Sequence, residues 1–126
     1  MPDPAPSVLV ACLCAAWCTT CSAYRDTFAA LAARHPGLRF AWIDIEDDSD
    51  ALGDDALEIE SFPTVMLMRE GRVLFFGTVL PHAGTLARMV EAIEADALAP
   101  GGADGVSAQM AAAVWRLGPQ RPVPAA

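Results

Sequence analysis

Two cysteines with a two-residue spacer, in Trp17-Cys18-Thr19-Thr20-Cys21, stand where an apolar run ends and helical spacing begins. That placement suits thiol–disulfide exchange. The first turn of a helix carries unpaired N–H groups and partial positive charge. This field favours a thiolate on Cys18, and the thiolate is the attacking species. Cys21, one helical turn on, can reach back and close a disulfide. Two more cysteines, Cys12 and Cys14, lie two apart on a strand and so share one of its faces. They can be read as back-up thiols, as metal ligands together with Cys18 and Cys21, or as buried small hydrophobes, and the last reading is favoured. Four sulfurs on one zinc must converge to about 2.3 Å from it. Two side chains pointing in parallel from one strand do not meet that demand. Far along the chain, Phe62-Pro63-Thr64 opens another apolar run.

The elements that must position these residues follow from hydrophobic patterning. Ser7–Leu13 is apolar without polar alternation, the pattern of a strand buried on both faces. Tyr24, Phe28 and Leu31 recur at helical spacing until His35-Pro36-Gly37 ends the helix. Leu38–Asp44 reads as a second strand, followed by acidic residues and a short helix from about Asp50 to Ile59. Thr64–Arg69 and Arg72–Gly77 read as strands joined at Glu70-Gly71 into a hairpin. Leu86, Met89, Val90 and Ile93 line a helix from about Ala83 to Leu98. The order is β-α-β-α-β-β-α, an α/β fold with a four-stranded mixed sheet and helices on both faces. Residues 1–100 are expected to form this domain. Residues 101–126 are expected to add a C-terminal helix, capped by Asp104 and carrying Val106, Met110, Val114 and Leu117. A mobile Pro-rich tail follows from Gly118.

Over about residues 7–98 the chain resembles the thioredoxin-fold family. The resemblance rests on Trp17-Cys18-Thr19-Thr20-Cys21, Phe62-Pro63-Thr64, Asp44-Ile45-Glu46-Asp47 and the Glu70-Gly71 hairpin. It implies that Pro63 is cis and sits against the disulfide, with Phe62 presenting backbone groups to a bound substrate chain. Trp17 and Thr64 are assigned with them to substrate binding. Cys12, Cys14, Thr19 and Thr20 are assigned to modulating the site. Three departures stand out. Thioredoxin has an additional strand and helix before its active-site strand, whereas Met1–Pro6 alone precede it here, so the trimmed four-stranded form is expected. The family's Gly-Pro spacer is Thr19-Thr20. Its buried aspartate is Cys12, with Trp42 in place of the neighbouring lysine, so the first strand offers no carboxylate base beneath the site.

Charge and composition narrow the partners. The formal net charge is −8 over 126 residues, which argues against nucleic acid and anionic membrane surfaces. No apolar run approaches the roughly 20 residues of a spanning helix, and the first residues lack a secretory pattern. Cysteines crowded between Cys12 and Cys21 fit a reducing, cytoplasmic setting and redox use. From Asp48 a calcium-loop template fails at Leu52 and Ile59, so the acidic stretch reads as a solvated face. His35 and His82 read as structural, and Trp42 and Trp115 as packing residues. The expected activity is reduction of protein or small-molecule disulfides through Cys18 and Cys21, by a monomer, with no cofactor and no metal. Electrons would return from a reductase or a small thiol. No His between the cysteines adds a cation to stabilise a Cys18 thiolate, which points to a reductant or mild isomerase. The alternatives are a thioredoxin-fold scaffold holding a metal or Fe–S cluster, and a non-catalytic adaptor using the acidic face and C-terminal helix.

Overall fold

All seven residues of strand β1, Val8–Cys14, are buried. The computed structural model describes residues 8–54, 56, 59, 63–78, 83–95 and 106–123. Helix α1 (Thr19–Arg34) carries the chain from β1 to β2 (Arg39–Asp44), a crossover that parallel pairing requires. Helix α2 is short, Ser49–Leu52. Strands β3 (Thr64–Arg69) and β4 (Arg72–Thr78) form an antiparallel hairpin. Helix α3 spans Ala83–Glu94 and α4 spans Ala108–Leu117. The sheet order is β2-β1-β3-β4, which leaves β1 and β3 central. This is the expected four-stranded mixed sheet.

The hairpin turns on Glu70 and Gly71, with φ of 50° and 82°. Two positive φ values give the turn whose twist matches antiparallel strands. Gly71 adopts this freely, whereas Glu70 meets its own Cβ.

Alternation along β1 feeds two cores. Val8, Val10, Cys12 and Cys14 pack with Cys21, Tyr24, Phe28 and Leu31 of α1 and with Leu86, Val90 and Ile93 of α3. Leu9, Ala11 and Leu13 pack on the opposite face with Leu52 and with Met110, Ala113, Val114 and Leu117 of α4. His35 Nδ1 meets Glu94 Oε1 at 2.6 Å and ties the end of α1 to α3.

Three details differ from expectation. The second helix stops at Leu52 because Gly53 adopts φ +88° there. Helix α4 is capped by Ser107, whose Oγ accepts the Met110 N–H at 3.1 Å. Asp104 and residues 96–98 lie outside the described residues. The tail is fastened, not mobile, through Val123: Gly118–Gln120 makes a 3-10 turn, Arg121 C=O accepts the Trp42 N–H at 3.0 Å, and Pro122 bridges Ala41. Proline cannot continue a helix, but it is tolerated at a sheet edge. Helix α4 and this segment thus cover the second face and the free edge of β2.

Gly118 is buried, and a Cβ there would sit 2.8 Å from Leu9 Cδ1 in the core. Gly118→Ala should lower unfolding free energy by about 1–3 kcal/mol through overpacking. Gly37→Ala, with nothing within 4 Å of the added carbon, should stay within about 0.5 kcal/mol. Urea unfolding of both variants checks the pair.

Candidate active site

The site forms at the carboxyl end of β1, where the chain enters α1 beside the start of β3. In open α/β sheets such strand ends are where ligands bind. Cys18 is the N-cap residue of α1, with φ −85° and ψ 113°. Its side chain makes no capping hydrogen bond, and the first turn holds no acidic residue. The helix N-terminus therefore keeps its positive field, and the sulfur remains partly exposed. The Cys18 N–H donates to Ala15 C=O at 3.0 Å, fixing the turn that leads into the helix.

Cys21 is buried one helical turn on. It interacts with two other thiols, Cys14 and Cys18. Hydrogen bonding to Cys14 comes first, and burial second, in pushing the Cys21 thiol well above the ordinary range. The Ala15 amide and Cys18 oppose this without reversing it. Cys14 is pushed up likewise, first by hydrogen bonding to Cys12 and then by burial, against the opposing effect of Cys21. Cys12 Sγ and Cys14 Sγ are 3.6 Å apart. Both are buried, as expected of small hydrophobes, in the cluster that also holds Cys21. The nearby Tyr24 hydroxyl is buried with no hydrogen-bond partner among the described residues, and burial raises its pKa.

A cavity of about 480 Å³ opens beside Cys14 and Cys21. Its wall includes Arg25, Trp42, Asp44 and the Asp48–Arg121 ion pair. Arg121 grips Asp48 through Nη2–Oδ1 at 2.7 Å and Nε–Oδ2 at 3.0 Å, and this pairing raises the guanidinium pKa. Arg25 stacks over Trp42 at 5.8 Å from the ring centroid, and Trp42 packs on Phe28. The acidic stretch is therefore not only a solvated face. Asp48 is buried, and Asp44 Oδ1 accepts the Glu46 and Asp47 N–H groups at 2.8 and 3.1 Å. The partnership of Asp48 and Arg121 spans the chain and leaves no local sequence signal.

Trp17 is 66 % exposed at the rim, next to Cys18. Thr19 is exposed and Thr20 partly so, both in the first turn of α1. Thr64 is buried and pairs with Leu13, which brings Pro63 level with Cys14 at the head of β3. Phe62 and His82 lie outside the described residues, and with Phe62 the expected cis peptide before Pro63. Among the described residues no group of three or more His, Cys, Asp or Glu is placed to hold a metal ion. None of the described helices is long and apolar enough to cross a membrane.

Comparison with known proteins points one way. The family model described as Thioredoxin matches residues 3–93. "Putative thioredoxin H10" of Arabidopsis thaliana is 31% identical over 65 residues, which span 52% of this chain and 41% of that protein. A thioredoxin h from poplar superposes with a TM-score of 0.61 at 26% identity, over 71% of this chain and 78% of its own. Thioredoxin from Trypanosoma brucei brucei gives a TM-score of 0.62 at 23% identity, over 72% and 78% respectively, and shows the same fold.

The raised thiols set a pH dependence for stability. An unfolded cysteine titrates near about 8.5. Above that pH the unfolded chain releases protons that native Cys14 and Cys21 retain. The unfolded state then binds fewer protons, so stability falls as pH rises. Urea unfolding under a phosphine reductant should show a plateau below about pH 8 and a decline above it. Cys14→Ala should make that decline shallower, and an unchanged slope would count against this assignment of the buried thiols.

Proposed function

This chain belongs to the thioredoxin family of thiol–disulfide oxidoreductases, and we propose that it reduces disulfides through a Cys18–Cys21 dithiol cycle. The observation that carries the reading is Cys18 at the uncapped N-terminus of α1 with Cys21 buried against it. In the proposed cycle the Cys18 thiolate attacks one sulfur of the substrate disulfide. The substrate S–S bond breaks, a Cys18–substrate disulfide forms, and the departing sulfur takes a proton. Cys21 then loses its proton and attacks Cys18 Sγ. The second substrate sulfur leaves as a thiol, and Cys18–Cys21 is oxidised. A thiol donor or reductase restores the dithiol.

The fold supports each role. The Cys18 sulfur lies at the positive end of a helix, where an anion is stabilised. Cys21 is shielded and held as a thiol, so it waits until Cys18 is engaged. No carboxylate occupies β1, and its position beneath the site is taken by the Cys12–Cys14 thiol contact. The cavity beside Cys21 gives its proton a route to solvent. Trp17 is exposed at the rim, and contact with the substrate chain is assigned to it together with Phe62, Pro63 and Thr64. The substrates are protein or small-molecule disulfides. The protein acts as a monomer in a reducing compartment such as the cytoplasm, where crowded cysteines stay reduced.

The test is trapping. An oriented intramolecular thiol competes far better than one in solution. Cys21→Ser should lengthen the lifetime of the mixed disulfide more than about a hundredfold, so that disulfide-linked substrate is recovered. Cys18→Ser should trap none. Non-reducing electrophoresis with a model disulfide protein reads both. Equal lifetimes in wild type and Cys21→Ser would remove Cys21 from the cycle.

A further inference from the structure

We propose that Cys14 is a third redox thiol, which exchanges into the Cys18–Cys21 disulfide and moves it inward to Cys14–Cys21. The inference builds on the cycle above and concerns a residue that the cycle does not use.

The placement of the sulfurs carries it. Cys14 closes β1 and Cys21 lies in the first turns of α1, both buried on the same face of the sheet. Cys21 packs in the same buried cluster as Cys14, with Cys18 against its edge. Cys14 in turn lies 3.6 Å from Cys12, sulfur to sulfur. Cys14 and Cys21 also line the same open cavity. A cysteine serving only as apolar filler needs neither a thiol neighbour nor a place in a cavity wall. This one has the Cys12 thiol at 3.6 Å, Cys21 in the same buried cluster and a cavity at its side.

The step balances without an external oxidant. Cys14 gives its proton to water in the cavity, and its sulfur attacks Cys21 Sγ. The Cys18–Cys21 bond breaks as the Cys14–Cys21 bond forms. Cys18 leaves as a thiolate at the helix N-terminus, the position that best stabilises it. One disulfide exists before and after, so nothing is oxidised or reduced overall. Attack requires the Cys14 thiolate. Since Cys14 is held as a thiol, the exchange is slow at neutral pH and faster above it. Its product stores the disulfide inside and presents a free Cys18 to a second substrate.

Cys12 is less suited to pair with Cys14. Residues two apart on a strand are separated by about 6.6 Å at Cα, from a rise of about 3.3 Å per residue. That is the far edge of disulfide geometry. Cys14 and Cys21 come from different elements packed in one cluster, so the rise along a strand does not set their separation.

The test uses the full chain, oxidised with one equivalent of diamide at pH 7 and at pH 9. After acid quench and alkylation in denaturant, fragmentation mass spectrometry locates the free cysteines. In wild type the expected result is two populations. One carries label on Cys12 and Cys14, the other on Cys12 and Cys18, and the second grows with pH. In Cys18→Ser, oxidation should reduce labelling from Cys12, Cys14 and Cys21 to Cys12 alone. Wild type labelled only on Cys12 and Cys14 at both pH values, with Cys18→Ser retaining all its thiols, overturns the inference and leaves the Cys18–Cys21 cycle intact. A Cys12–Cys14 or Cys12–Cys21 disulfide in Cys18→Ser overturns it too. Wild type that forms no Cys18–Cys21 disulfide contradicts the cycle itself, whatever Cys14 does.

Discussion

Complete burial of β1 is the constraint on which the rest depends. A strand buried over its whole length must have a hydrogen-bonded neighbour on each edge and a packed layer on each face. The β2 and β3 ladders supply the edges. Helices α1 and α3 supply one face, α2 and α4 the other. Removing water from both sides makes β1 a rigid base. Its last residue then hands the chain to α1 through a turn that fixes Cys18 at the helix N-terminus.

The same burial explains why the chemistry divides between two thiols. Cys18 lies at the boundary, partly exposed and in the field of the helix. Cys21 lies within, and its thiol form is favoured by Cys14 and by desolvation. Burial and Cys14 hold the inner sulfur neutral, while the outer one stays at the helix N-terminus within reach of solvent. The C-terminal segment takes part indirectly. Arg121 holds Asp48, its carbonyl engages the amide of Trp42, and Pro122 lies along β2. These contacts build the far wall of the cavity into which Cys14 and Cys21 open.

What could be read in the sequence was whatever is local. The apolar run of β1, the helical spacing of Tyr24, Phe28 and Leu31, and the Glu70-Gly71 turn each carry their own short-range signal, and each element lies where that signal put it. The placement of Cys18 at the helix N-terminus and of Cys21 buried a turn on is legible because it depends on one helical turn. The rest was hidden because it depends on long-range pairing. Nothing near Arg121 announces that it closes on Asp48, and Gly118-Pro119 with Pro122 and Pro124 has the composition of a loose tail. Cys14 is a similar case. Spacing shows that it shares a face with Cys12 and the resemblance sets that face beneath the site, but the packing of α1 onto β1 is what puts Cys14 and Cys21 in one cluster.

The central claim is that Cys18 and Cys21 cycle together as one two-electron couple at a reducing potential. The direct measurement equilibrates the Cys14→Ala variant, in which the disulfide cannot move inward, in thiol–disulfide buffers of graded potential and follows the labelling of both cysteines. The account predicts that Cys18 and Cys21 lose label in parallel, with a tenfold change in ratio per about 30 mV. Labelling of the two that falls at separate potentials, or that does not fall across the range, would contradict it.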